Sequence, residues 1–244
     1  MELKTAIEIF YNKRNDNKNR ISDEGLSEAF RPIAEKILSG YFKVTNNRSS
    51  SFVTVHPTCV EIYYHEEGLG NDKVKDYIVY HRDSNDGTRK ASVFPLGVLH
   101  NHVSGIDMTF EKLVDGYPIR FSALIREFWI DKRNKMEGEN VDYGEENIKA
   151  CTETEPEKRS TYLYEALYSQ YSVFDGFSIQ WVDGSEDKMK EILNVKTRLN
   201  VAEYHVNDKN RLEKIPASKT KGILTRNKKH KQCLRMWSYS INED

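Results

Sequence analysis

The segment CVEIYYHEE, residues 59–67, has the β-branched and aromatic composition of a β-strand. Side chains along a strand alternate between its two faces. The apolar face of this strand therefore carries Val60, Ile62 and Tyr64. The opposite face carries a carboxylate, a phenol ring and an imidazole, from Glu61, Tyr63 and His65. Such a row can bind a planar ligand and move a proton. The simpler alternative is a half-exposed edge strand whose polar face meets water.

Composition narrows the class of protein. The chain has 244 residues, of which 38% are hydrophobic and 31% are charged, and its formal net charge is −1. That length is enough for one large core that needs no covalent cross-links. A near-zero net charge is not typical of a strongly basic nucleic-acid binder, so any such surface must be local. Three scattered cysteines, no apolar run of transmembrane length and no apolar signal core predict a cytoplasmic protein with reduced thiols.

Hydrophobic spacing predicts a mixture of helices and strands without a βαβ order. Helices are expected at residues 1–13, 22–40, 160–171 and 185–193. In the second helix, Ser22 is the expected N-cap, Pro32 the expected kink and Gly40 the expected stop. Strands are expected at residues 52–56, 59–66, 76–81, 119–130, 195–204 and 234–241. The predicted fold class is therefore α+β with a mostly antiparallel sheet, in a single domain over residues 1–244.

Two segments differ from the rest of the chain in charge. Residues 132–158 are rich in Asp and Glu, which predicts an acidic surface insert. Residues 205–232 form a basic loop region, which is either a solvated loop or a surface that contacts phosphates. The candidate phosphate contacts of this region are Lys219, Lys221, Arg226, Lys228 and Lys229.

A possible metal site is indicated by His100-Asn101-His102, because this spacing places two imidazoles on one face of a strand. The candidate third ligands are His65, Glu66 and His81. No Gly-rich phosphate loop and no Gly-x-Ser-x-Gly elbow occurs, so nucleotide hydrolysis and serine hydrolysis are not indicated.

Two charged residues, Arg126 and Glu127, interrupt the apolar run at 119–130. A charge inside such a run must find a partner or face a polar cavity. Either the two residues pair with each other, or Arg126 meets Glu61 in a site.

Several segments, in this order, resemble motifs of the 3-methyladenine (alkyladenine or alkylpurine) DNA glycosylase family. The family's Glu-x-Tyr strand motif is similar to Glu61-Ile62-Tyr63, and a downstream His of the family is similar to His81. The remaining similar segments are residues 94–104, 123–127, 160–167, 174–176, 197–201 and 233–239. The resemblance extends over residues 28–241.

The resemblance implies a curved, mostly antiparallel sheet flanked by helices. It also implies a monofunctional DNA glycosylase of base excision repair, which flips an alkylated or deaminated purine out of the duplex and hydrolyses its N-glycosidic bond. In that role Glu61 activates water for attack at the sugar C1′, where the transition state resembles an oxocarbenium ion. Arg126 holds that water or the Glu61 carboxylate.

The same resemblance assigns roles to residues that contact the substrate. Tyr63 and His81 wall the flipped base, and Asn101 rejects bases with an exocyclic amino group. Phe94 fills the gap left in the base stack, and Arg82 contacts DNA. The implied partner is double-stranded DNA that contains damaged purines. No metal, cofactor, membrane or obligate protein partner is implied, and the expected state is a monomer.

Two other functions stay open at this point. One is a nucleic-acid-binding protein of the same fold without catalysis, because Pro95 and Gly97 alter the segment expected to enter the minor groove. The other is a metal-dependent hydrolase that uses His100 and His102.

Overall fold

The computed structural model describes most of the chain outside two long segments. The described residues are 1–16, 21–22, 25–48, 52–68, 73–76, 78–84, 88–131, 151–169, 171–185, 192, 194–198, 204–206, 212–214 and 235–241. Residues 132–150 of the acidic insert, nearly all of the helix expected at 185–193 and the basic residues of 215–232 lie outside them. The predictions made for those residues stay predictions.

The described residues contain three helices: α1 (Leu3–Asn15), α2 (Leu26–Ser39) and α3 (Tyr162–Tyr168). Helix α2 continues through Pro32, so the helix does not restart after the proline, and Gly40 ends the helix by donating its N–H to Lys36 O. Ser22 does not cap the helix, because Gly25 occupies the N-cap position. Helix α3 is shorter than predicted and ends before Tyr171.

Eleven strands are described, and every pairing among them is antiparallel. Their bounds are β1 (Tyr41–Asn46), β2 (Phe52–Glu66), β3 (Leu99–His102), β4 (Gly105–Thr109), β5 (Lys112–Val114), β6 (Tyr117–Asp131), β7 (Phe177–Val182), β8 (Asn194–Lys196), β9 (Tyr204–Val206), β10 (Leu212–Lys214) and β11 (Ser238–Ser240). Nine of them form one curled sheet in the order β3-β4-β6-β2-β1-β7, with β11 joining β2 to β8 and β5 beside β6. The prediction of an α+β fold with an antiparallel sheet is confirmed.

Strand β2 is the central strand of this sheet. It pairs with β6 along nearly its whole length on one side, and with β1 and then β11 on the other. The two strands expected at 52–56 and 59–66 are therefore one strand, with a register shift between Pro57 and Val60 that accommodates the proline. The edge-strand alternative for this segment is wrong.

One face of β2 and β6 packs against helices α1 and α2. Tyr64 and Phe121 lie in this layer, with ring centroids 5.5 Å apart, and Phe30 of α2 lies 5.4 Å from Phe121. Phe10 of α1 lies 5.5 Å from Tyr64. The residues that the alternation assigned to the apolar face, Val60, Ile62 and Tyr64, are all buried in this core. The helix layer leaves the other face of the sheet for polar residues.

A covering segment, which comprises the described residues of 74–94, lies over that second face. A strand was expected at 76–81, but the described residues there form turns. Asp76 and His81 are both buried, and each contacts a polar group of the sheet side instead of a neighbouring strand. Polar tertiary contacts thus override the strand propensity of this short segment.

The C-terminal strands are shorter than expected. Strand β8 covers only Asn194–Lys196, and β11 covers Ser238–Ser240. Within the described ranges, no helix combines the length and the apolar character needed to span a membrane.

Candidate functional site: a buried polar face of the sheet

The antiparallel register aligns four residues across four strands. Glu61 of β2 lies opposite Leu124 of β6, which lies opposite Asp107 of β4, which in turn lies opposite His100 of β3. Residues that are directly opposite in a sheet share a face. Glu61, Asp107 and His100 therefore lie on the face turned away from α1 and α2, and the polar groups of the sheet collect there.

Glu61 is fully buried on this face. The hydroxyl of Tyr63 donates a hydrogen bond of 3.0 Å to its Oε2 atom, and Arg126 Nε lies 3.8 Å from its Oε1 atom. Burial first, and then the nearby Glu61 carboxylate, raise the pKa of Tyr63, so this phenol stays a proton donor. Arg126 therefore contacts Glu61, which was one of the two arrangements that the sequence left open for Arg126.

A second buried ion pair holds the ring of Tyr63. Arg198 donates from Nη1 to Asp76 Oδ2 at 2.6 Å and to Ile62 O at 3.2 Å. Its guanidinium carbon lies 4.6 Å from the centroid of the Tyr63 ring, a cation–π distance. Burial alone lowers the pKa of Arg198, but the Asp76 carboxylate outweighs it and raises that pKa, so the arginine remains charged.

Arg120 is the centre of a third buried network. Its guanidinium contacts three carboxylates, those of Glu67 at 3.1 Å, Asp83 at 3.2 Å and Glu111 at 3.1 Å. It also donates to the carbonyls of Ala91 and Ser92 at 2.9 and 2.6 Å. Burial would raise the pKa of Glu67, but donors from His65, the Asp83 backbone and Arg120 lower it to about 2. This network fastens the covering segment to β6.

His65 takes part in the same attachment. Its Nδ1 atom accepts a hydrogen bond of 3.0 Å from the backbone N–H of Asp76, and its Nε2 atom lies 3.3 Å from Glu67 Oε2. Burial lowers the pKa of His65, so the ring is held neutral. Both ring nitrogens are engaged in holding the covering segment, which does not fit a proton-transfer role for His65.

A histidine cluster lies at the β3–β4 end of the polar face. It consists of His81 from the covering segment, His100 and His102 from β3, Asp107 from β4 and the nearby Glu111. The ring centroids of His81 and His100 are 5.0 Å apart. His102 Nε2 lies 3.3 Å from Asp107 Oδ1, and His81 Nε2 faces Glu111 Oε1. The prediction that His100 and His102 share one face of a strand is confirmed.

Sequence reasoning identified some members of this cluster and missed others. His81 was one of three suggested third ligands, and it is the one that lies beside His100. Glu66 instead accepts hydrogen bonds from Arg14 at 2.6 Å and from Tyr64 at 2.7 Å, in the helix-side layer. Asp107 was not predicted as a member, although a single Asp among the apolar residues of β4 indicates a possible functional residue.

Two residues expected to contact substrate or DNA are placed differently. The Phe94 ring is half-buried, with its centroid 5.1 Å from that of His81 and 4.7 Å from that of His100, so it is not a free wedge for a base stack. Asn101 alternates with His100 and His102 and lies opposite Ile106, a residue of the helix-side core. Its side chain therefore does not share a face with Glu61, because neighbouring residues of a strand point to opposite faces.

Arg82, the remaining described DNA-contact candidate, is half-buried and donates from Nη1 to Asp83 O at 2.9 Å. Comparison with known proteins adds no further residue to the site. No protein-family model, no curated protein and no solved structure matches the chain significantly. The chemistry of the site therefore has to be argued from its own geometry.

Proposed function

We propose that the protein is a DNA N-glycosylase that flips alkylated or deaminated purines out of the duplex and hydrolyses their bond to deoxyribose. The observation that carries the proposal is the setting of Glu61, a fully buried carboxylate beside Arg126 and hydrogen-bonded to Tyr63. These are three of the residues to which the family resemblance gives the central roles. Glu61 and Tyr63 are neighbours on one face of β2, whereas Arg126 is distant in sequence, and its contact with Glu61 was not required by the strand pattern alone.

The proposed chemistry follows from the charge of that carboxylate. Departure of a purine leaves positive charge on the sugar, and a nearby carboxylate stabilises an oxocarbenium-like transition state. Glu61 accepts a proton from the attacking water as its oxygen bonds to C1′ and the bond from C1′ to the base nitrogen breaks. The Arg126 guanidinium keeps the carboxylate oriented and ionised before the reaction.

In this proposal the half-buried ring of Tyr63 binds the flipped base. A flipped base needs a flat aromatic wall, and Arg198 holds this ring in place from the C-terminal part of the chain. Because Glu61 is fully buried, entry of a base also requires the side chains around the carboxylate to separate.

The test is a single-turnover assay on duplex oligonucleotides that carry hypoxanthine, ethenoadenine or 7-methylguanine, followed by alkali to cleave abasic sites. Wild type, Glu61→Gln and the matched control Glu165→Gln are compared. Glu165 is exposed on α3, outside the sheet, so its replacement leaves the polar face intact. Base release by wild type and the control, but not by Glu61→Gln, supports the proposal. Equal release by Glu61→Gln rejects the role of Glu61.

A second candidate is a nucleic-acid-binding protein that has this fold and does not catalyse base release. It is favoured by the withdrawn position of Phe94, since a glycosylase needs a side chain that fills the space of the flipped base. Tight binding to an abasic duplex, with no release from any of the lesions, would select this candidate.

A further inference from the structure

We propose that His81, His100 and Asp107 bind a first-row divalent transition-metal ion of the zinc type, which ties the covering segment to the β3–β4 hairpin. The proposal concerns a binding site apart from Glu61, and it gives His81 a role other than the wall of a flipped base that the resemblance implies. It does not depend on the proposed function, because Glu61 lies two strands away from Asp107, roughly 10 Å at the usual strand spacing.

The first support is geometric. One ligand atom from each of His81, His100 and Asp107 can be chosen so that all three lie within 4.8 Å of one another. Two ligands of a tetrahedral zinc ion lie about 3.4 Å apart, given metal–ligand bonds of about 2.1 Å. The ligand atoms therefore need to approach one another by up to about 1.4 Å, and His81 is carried by a turn and not by a strand of the sheet.

The second support is a set of buried polar atoms with unmet hydrogen-bonding capacity. Within the described part of the chain, neither a hydrogen-bond nor an ion-pair partner is found for two buried atoms, His81 Nδ1 and His100 Nδ1. Buried polar atoms are nearly always paired, and leaving one unpaired costs about 1–3 kcal/mol. Two such imidazole nitrogens in one cluster indicate a binding partner that satisfies both at once.

The third support is the outer layer of contacts. Ser122 Oγ donates to Asp107 Oδ2 at 3.2 Å, which leaves Oδ1, 3.3 Å from His102 Nε2, as the carboxylate oxygen for a metal ion. His81 Nε2 faces Glu111, so Nδ1 is the nitrogen left for a metal ion. Glu111 is itself held by Arg120 and by the Phe94 N–H, at 3.1 and 2.7 Å. Carboxylates that orient metal-bound histidines in this way are characteristic of metal centres.

The donor set selects the class of ion. Two imidazoles and one carboxylate suit zinc and its neighbours, whereas magnesium and calcium prefer all-oxygen sites. The nearest candidate for a fourth ligand is His102, whose Nε2 atom is 3.3 Å from Asp107 Oδ1.

The experiment measures metal binding by the full chain after it has been stripped with a chelator and returned to buffer. Cobalt(II) is titrated into wild type, His100→Gln and Asp107→Asn, with visible d–d absorption and calorimetry as readouts and zinc as the competitor. A double variant, His205→Gln with His230→Gln, controls for adventitious binding by other histidines. We expect one equivalent to bind wild type and the control, to be displaced by zinc, and to bind at least 10-fold more weakly to both site variants.

A second, milder variant protects the test against misfolding. Ser122→Ala removes only the donor to Asp107 Oδ2, and loss of such an outer contact typically weakens metal affinity about 10-fold or more. Circular dichroism reports whether each variant is folded. The proposal is overturned if wild type binds no cobalt or zinc, or if folded His100→Gln and Asp107→Asn bind as tightly as wild type. In either case the cluster is a set of His–carboxylate pairs.

Discussion

Asp76 and Arg198 form an ion pair with an Nη1–Oδ2 distance of 2.6 Å, and both side chains are fully buried. The pair joins the covering segment to the C-terminal part of the chain beside the Tyr63 ring. Removing one partner of a buried pair leaves an uncompensated charge, which typically costs about 3–5 kcal/mol. We expect Asp76→Asn to lower the free energy of unfolding by a loss near this range, measured by urea denaturation.

The half-buried carboxylate of Asp175, which pairs with the exposed Arg48, provides the matched comparison for that measurement. Arg48 Nη1 lies 3.8 Å from Asp175 Oδ2, and its side chain is 79% exposed. A solvent-exposed pair of this kind contributes at most about 1 kcal/mol. A loss in Asp76→Asn no larger than that in Asp175→Asn would show that the buried pair is not a structural tie.

The strand that carries Glu61 was predictable because its neighbours alternate in a two-residue period. The apolar members Val60, Ile62 and Tyr64 all enter the core, so their polar neighbours had to face the other way. The same argument placed His100 and His102 on one face. Where local periodicity sets the structure, the sequence was sufficient to predict the face of the strand on which each residue lies.

The covering segment was not predictable, because distant partners set its conformation. Arg120 binds Glu67, Asp83 and Glu111, and nothing in the local sequence links these three carboxylates. The buried positions of His81 and Phe94 follow from this attachment, since both lie near Glu111. The candidate site was therefore half predictable: Glu61, Tyr63 and Arg126 from their motifs, but not Asp107, Arg120 or Arg198 in their observed roles.

Acid is expected to destabilise the fold through His65 and Glu67. The folded-state pKa of Glu67 is about 2, below its ordinary value of 4.5, so its contribution is full above 4.5 and is lost as the pH falls toward 2. The pKa of His65 is also lowered, from 6.5, so its contribution is full above 6.5 and declines as the pH falls below that value. Urea unfolding at pH values from 7 to 3 should show a steady fall in stability.

The variant Glu67→Gln separates the contribution of Glu67 to stability in acid from that of His65. In this variant the loss between pH 4.5 and lower values should be smaller than in wild type, because the titrating carboxylate is gone. Glu155→Gln, a change at an exposed position, is the control and should keep the wild-type profile. An unchanged slope in Glu67→Gln below pH 4.5 would assign the acid sensitivity to other carboxylates.

DNA binding should depend on salt through the basic loop region. Each lysine that neutralises a phosphate contributes about 0.9 to the slope of log K against log salt concentration. We expect the double change Lys228→Ala with Lys229→Ala to weaken binding to undamaged duplex and to reduce this slope by about 1–2. Fluorescence anisotropy over a range of KCl concentrations measures both. Lys4→Ala with Lys13→Ala, two exposed positions on α1, removes the same charge as a control, and an equal effect there would mean that net charge alone matters.

Arg126→Gln should slow base release while sparing DNA affinity. Arg126 Nε lies 3.8 Å from Glu61 Oε1, so the change removes the positive charge next to the proposed general base. The lysines and arginines of the basic loop region, which are proposed to contact DNA, are unchanged. Loss of a positioned electrostatic contact at a reacting centre typically lowers the rate by about 10²- to 10³-fold. Single-turnover rates at saturating enzyme and anisotropy on the same duplex separate chemistry from binding. Arg126→Lys restores the charge and should recover part of the rate. If instead both variants lose DNA binding and rate in parallel, Arg126 supports the fold of the sheet and not the chemistry of Glu61.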